Sequence, residues 1–86
     1  YEADLKLAKK LIEELLYQDE SILKEEEILV YVDQLAESSV VIGSRSWVKT
    51  EEYWPVRWRL LEAIKLTLDE HGVEMAYPHL SVQMKK

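Results

Sequence analysis

Residues 45–58 read Arg45-Ser-Trp-Val-Lys-Thr-Glu-Glu-Tyr-Trp-Pro-Val-Arg-Trp58 and hold all three tryptophans of the 86-residue chain. The stretch is a strand-to-helix junction. Trp47 closes an alternating apolar pattern, and Tyr53, Trp54 and Trp58 open one at helical spacing. Thr50 stands where a helix N-cap is wanted, and Glu51 and Glu52 suit the positive end of a helix. Pro55, which lacks an N–H, fits a first turn. Large aromatics bury much area and prefer edge-on or offset contact. The corner Trp47, Tyr53, Trp54 and Trp58 therefore predicts a fixed docking angle between helix and sheet, or an interface. It supplies no nucleophile, base or metal ligand.

Upstream of the junction two segments alternate. In 27–33, Ile28, Val30 and Val32 oppose Leu29, Tyr31 and Asp33. In 39–49, Val40, Ile42 and Val48 oppose Val41, Arg45 and Trp47. With a turn at 34–38 they predict a hairpin, and Gly43 marks a bulge or a close backbone approach. Earlier still, Leu5, Ala8, Leu11, Ile12, Leu15 and Leu16 recur at helical spacing behind Asp4, a candidate cap. That helix is expected to end near Tyr17 or Gln18. Residues 19–26 then read as an acidic connector that touches the core at Ile22 and Leu23.

Downstream, Leu60, Leu61, Ile64 and Leu68 give the second helix an apolar stripe. Gly72 ends it where a left-handed residue is wanted. Residues 73–77 read as a short strand that Pro78 breaks. Leu80, Val82 and Met84 then alternate with Ser81 and Gln83 in a last amphipathic strand.

The order α-β-β-α-β-β places the chain in the α+β class. It is a ferredoxin-like αββαβ arrangement, the βαββαβ unit with its first strand missing, plus a C-terminal extension strand. Residues 1–78 are expected to form the domain and 79–86 the terminal strand. The missing strand is a central one, so the edge at 39–49 is left open, and open edges recruit partners. Upstream residues, a shifted 73–77 strand or a strand from another chain would each fill it. Two readings of the terminal strand stand side by side. It is an edge strand of the same sheet, or it joins an intersubunit sheet or barrel with Leu80, Val82 and Met84 as subunit-interface candidates.

Composition narrows the function. The net charge is −6, and residues 1–27 hold nine acids against four lysines, which opposes nucleic-acid backbones and anionic lipid head groups alike. Arg57 and Arg59 among the tryptophans suggest cation–π pairing rather than base stacking. No apolar run approaches the roughly 20 residues of a membrane helix. Cysteine is absent, and Gly43 and Gly72 are the only glycines, too few for a phosphate-binding loop. His71 and His79 are the only candidates for neutral-pH proton transfer or zinc ligation, and their spacing matches no zinc signature. His71 reads as a helix C-terminal residue favoured by the dipole, and His79 as an exposed residue after a proline. Neither a catalytic set, a metal site nor a cofactor site is expected. The chain starts at Tyr1 rather than methionine, as expected of a piece of a longer protein.

The motifs taken in order carry a family likeness. Tyr1-Glu-Ala-Asp4, Leu35-Ala-Glu-Ser-Ser-Val40, Arg45-Ser-Trp-Val-Lys-Thr50, Tyr53-Trp54, Leu60-Leu-Glu-Ala-Ile-Lys65, Leu68-Asp-Glu-His-Gly72 and Tyr77-Pro78 span essentially the whole chain. This set resembles the C-terminal cytosolic domain of the small-conductance mechanosensitive channel family. Three positions depart from the family pattern: His71 for asparagine, Ala76 for proline and His79 for glutamine.

The resemblance implies a bacterial or archaeal channel opened by bilayer tension, with this domain on the cytoplasmic side of the plasma membrane. It implies a homoheptamer in which upstream membrane helices and a β domain of the same chain precede this segment. The seven α/β domains would wall a hollow vestibule, and strands equivalent to Leu80–Met84 would gather into a small parallel barrel. No nucleic acid and no direct membrane contact by this segment are implied. The acids at residues 13–27 would then concentrate cations near the vestibule wall. The alternative is a free-standing ferredoxin-like regulatory domain that binds a small ligand or a protein.

Overall fold

The structure is a computed structural model that describes residues 2–35, 40–73 and 78–85. The first apolar periodicity winds α1, Glu2–Gln18, and buries Ala8, Leu11, Ile12 and Leu16. The helix already includes Asp4, so that residue is not its cap. Asp19 turns the chain: its carboxylate accepts the Ser21 N–H at 2.9 Å. Ile22 then drops into the core, and the Leu23 N–H donates to the Trp47 carbonyl at 2.8 Å.

Strand β1, Leu29–Leu35, runs antiparallel to β2, Val40–Lys49. β1 extends past the expected strand end at residue 33, and residues 36–39 of the connection lie outside the described residues. The register slips between Val32 and Gln34, which leaves Asp33 as a bulged residue. Gly43 is the close-approach position, and the bulge is on the facing strand. A β-carbon at Gly43 would stand 2.6 Å from Cε2 of its partner Tyr31, whose ring lies across the glycine.

A 3-10 turn, Thr50–Glu52, leads into α2, Tyr53–Glu70. Thr50 is therefore part of that turn rather than the cap of the long helix, and neither helical segment has a side-chain N-cap bond. At the other end Gly72 adopts φ 70°. The Val73 N–H bonds the Leu68 carbonyl at 2.9 Å and the Gly72 N–H bonds the Asp69 carbonyl at 3.0 Å. This is a Schellman cap, with Val73 and Leu68 both buried beside it.

The last strand, β3, His79–Lys85, pairs in parallel with β2, so the sheet order is β1-β2-β3. The protein is thus an α+β domain with a three-stranded sheet and two helices. The strand expected at 73–77 falls mostly on residues 74–77, outside the described residues. The edge of β2 left open by the missing strand is met by the chain's own terminal segment. That segment buries one face against its own domain: Leu80 and Val82 are 8% and 7% exposed. On the helix side of the sheet they join Ile42 and Val48 beneath Val56, Leu60, Ile64 and Leu68 of α2 and the apolar face of α1. Ser44 and Ser46 occupy the centre of that layer, fully buried and without hydrogen-bond partners for their hydroxyls. Their small volume admits the helices close to the middle strand.

Candidate assembly surface

The junction that opens the chain's reading splits in two. Tyr53, Trp54 and Trp58 form a ladder along the first turns of α2. The Tyr53 and Trp54 rings meet edge-on at 4.9 Å and 89°, and Trp54 and Trp58 lie 5.9 Å apart with a 35° tilt. Trp47 makes no ring contact with them; it is half-buried on the sheet face opposite the helices. Tyr53 packs against the core, whereas Trp54 and Trp58 are 57% and 63% exposed. The helix docking angle therefore rests on Tyr53 and the buried stripe. The indoles are left on the surface, where Trp and Tyr concentrate interaction energy when a partner covers them.

The arginines of this region are engaged with oxygen, not with indole. Arg57 donates Nη1 to the Leu80 carbonyl of β3 at 3.0 Å. Arg59 donates to both carboxylate oxygens of Asp19, the shortest at 2.8 Å. That hydrogen bond, opposed by desolvation and aided by the charges of Asp19 and Glu52, raises the Arg59 pKa above its already high value. Arg57 falls between Trp54 (i−3) and Leu61 (i+4) on the helix surface, so these residues share the flank of α2 that faces β3. Met84, near the end of β3, is 53% exposed. Of the three strand residues expected at a subunit contact, Leu80 and Val82 point into the domain and Met84 is free on its surface.

The histidines stand apart from any ligand set. His71 Nδ1 lies 3.0 Å from the Thr67 carbonyl at the end of α2. His79, the first residue of β3, sits with Nδ1 2.6 Å from Asp33 Oδ2 and so spans β2 at Gly43. Among the described residues no three His, Asp or Glu side chains converge into a metal-binding group. Among the described residues two open depressions lie at the surface. One, lined by Asp19, Glu20, Ser21 and Arg59, has its main charges spent on each other. The other, lined by Leu23, Glu25, Lys49, Glu51 and Lys85, mixes both signs of charge. Neither gathers the convergent polar groups of an active site. The His79–Asp33 contact escaped sequence reasoning because 46 residues separate the partners and only the sheet register joins them.

Among the described residues no helix is long and apolar enough to cross a membrane. Comparison with known proteins supplies the larger context. Residues 1–75 match the family described as mechanosensitive ion channel MscS, C-terminal. An uncharacterized MscS family protein of Archaeoglobus fulgidus is 35% identical over 78 residues, 91% of this chain and 28% of that protein. One from Buchnera aphidicola (subspecies Acyrthosiphon pisum) is 29% identical over 86 residues, 100% of this chain and 28% of the relative. The small-conductance mechanosensitive channel of Edwardsiella ictaluri is 25% identical over 84 residues, 98% of this chain and 29% of the channel. The chain thus spans under a third of the length of the curated relatives it matches. With a two-helix, three-stranded α+β domain and a family match over 75 residues, this chain belongs to the MscS mechanosensitive channel family, of which it carries the C-terminal region.

Proposed function

We propose that this chain is the cytosolic vestibule and assembly domain of a mechanosensitive channel that releases ions and small solutes under membrane tension. The observation that carries the reading is the family match over residues 1–75. The exposed Trp54 and Trp58, whose rings are neighbours on α2, support it, because adjacent exposed indoles suit a surface that partners cover. In this reading the partners are identical subunits, seven in the intact channel, and the domain lies on the cytoplasmic side of the membrane. Pore and tension sensor belong to other parts of the protein. The domain is structural rather than catalytic. The exposed acids Glu13, Glu14, Glu20, Glu25 and Glu27 lend the vestibule wall a negative potential that reaches about one Debye length, ~8 Å at physiological salt.

A cysteine introduced into the intact protein, with any cysteine outside residues 1–86 replaced by serine, tests the assembly role, since this segment has none of its own. Met84→Cys in the intact protein, oxidised in the membrane, is expected to link copies of the chain to one another. Failure to form any inter-copy product, with the thiol accessible to a maleimide, refutes the reading.

A further inference from the structure

Both helices pack on one face of the sheet, with Ile42, Ser44, Ser46 and Val48 of β2 turned toward them. Strand period turns Gly43, Arg45 and Trp47 to the other face. Among the described residues no helix covers that second face. Leu29 and Tyr31, the register partners of Arg45 and Gly43, are 38% and 37% exposed on it. Trp47 is half-buried there and Arg45 is exposed. A sheet face with this much apolar surface ordinarily carries a further layer. Building on the assembly reading above, we propose that this layer is α1 of a second copy of the chain, laid along β2 in a head-to-tail contact.

Charge and spacing select α1. Lys10, Glu14 and Tyr17 stand at i, i+4 and i+7, one stripe turned away from the buried Ala8, Leu11, Ile12 and Leu16. All three are exposed, Tyr17 by 58%. The stripe runs cation, anion, phenol. Along β2 the bare face runs anion, cation, indole: Asp33 beside Gly43, then Arg45, then Trp47. Asp33 belongs to this row because its Oδ2 meets His79 Nδ1 at 2.6 Å across Gly43, which leaves Oδ1 for another donor. Lys10 to Tyr17 spans about 10.5 Å of helix axis, and Gly43 to Trp47 about 13 Å of strand. Long lysine, glutamate and arginine side chains take up that difference. With α1 running in the direction of β2, Lys10 meets Asp33, Glu14 meets Arg45 and the Tyr17 ring meets Trp47. Among the described residues Lys10, Glu14 and Arg45 make no ion pair within their own copy, so their charges are available. Past Trp47, Lys49 and Lys85 share a depression with Glu25 and Glu51, and those charges offset one another. The two surfaces differ, so each copy offers its sheet to one neighbour and its α1 to another. Contacts of that kind close into rings. Of the exposed acids, this one covers Glu14 beside Glu13 and leaves Glu20, Glu25 and Glu27 to solvent.

The experiment uses the intact protein in its membrane, with any cysteine outside residues 1–86 replaced by serine. Glu13→Cys, beside the stripe, is combined in turn with Leu29→Cys and with Ser81→Cys, the register partners of Arg45 on β1 and β3. A short bis-maleimide is expected to join one of these pairs between copies and to give a ladder of three or more linked chains. Each single variant is expected to give no linked product. Linkage from Glu13→Cys alone, or a product that stops at two copies, means that like surfaces face each other and overturns the head-to-tail contact. Linkage to a different protein overturns it as well. Failure of both pairs to link, in protein that light scattering finds oligomeric, overturns this contact and leaves the assembly reading standing. Monomeric protein sinks both. A charge exchange checks the alignment. Arg45→Glu and Glu14→Lys are each expected to slow linkage about twofold to fivefold, as exposed pairs imply, and the two together to restore it. A combined variant that links no faster than the single ones overturns the pairing of Glu14 with Arg45.

Discussion

Gly43→Ala probes the most crowded point of the sheet. The added β-carbon would meet Tyr31 Cε2 at 2.6 Å and Cζ at 2.8 Å, closer than side-chain carbons tolerate. Tyr31 must swing off the strand, and overpacking of this kind costs about 1–3 kcal/mol. Against this, replacing a strand glycine by alanine recovers about 0.5–1 kcal/mol of backbone entropy. The net expectation is a loss of about 0–2.5 kcal/mol, held below the upper bound because the tyrosine is 37% exposed and has room to move. The sign should reverse when the ring is removed first. In a Tyr31→Ala background the same Gly43→Ala change meets no ring and stabilises by about 0.5–1 kcal/mol. Urea unfolding of the four proteins of this double-mutant cycle measures the coupling. With a slope near ~1 kcal/mol per molar for a domain this small, midpoints shift by about 1 M. A coupling below about 0.5 kcal/mol, the additive limit, refutes the claim that the Tyr31 ring is what requires glycine at residue 43.

Other positions give equally direct expectations. Gly72→Ala meets no atom within 4 Å, so its cost is conformational alone: φ of 70° in a residue with a β-carbon costs about 1–2 kcal/mol, read as a lower thermal midpoint. Gly72→Asn should lose less. Ser44→Ala and Ser46→Ala remove buried hydroxyls that have no partner, so denaturation should show unchanged stability or a gain of up to about 1 kcal/mol. A larger Ser46→Val should lose stability through overpacking. Asp19→Ala should cost more than Arg59→Ala, because Asp19 also holds the Ser21 N–H. The pair itself is worth about 0.2–1 kcal/mol at the surface, and that share should fade at ~1 M salt while the turn's share persists.

Most of the local structure was legible in the sequence. Apolar spacing located α1, β1, β2, α2 and β3, because side-chain period is fixed by backbone geometry. Gly72 announced its own cap, since only a residue without a β-carbon takes φ 70° freely. Asp4 and Thr50 misled because a cap is defined by where the helix starts, and neighbouring residues decide that. The tryptophans announced an aromatic junction but not its division, which depends on Trp47 belonging to a sheet face that the helices do not cover.

By itself, then, the order of motifs determined the family, and the alternation of apolar residues determined that 80–84 would be a strand with one greasy face. Only the tertiary structure decided what that face meets. Leu80 and Val82 are buried because β2 offers an unfilled edge beside α2, and an unfilled edge is a property of strands distant in sequence. The same holds for the bond from Asp33 to His79 and for the contact of Tyr31 with Gly43. Hydrogen bonding and close packing act on distance in space, which the chain's register creates and its local residue preferences do not contain.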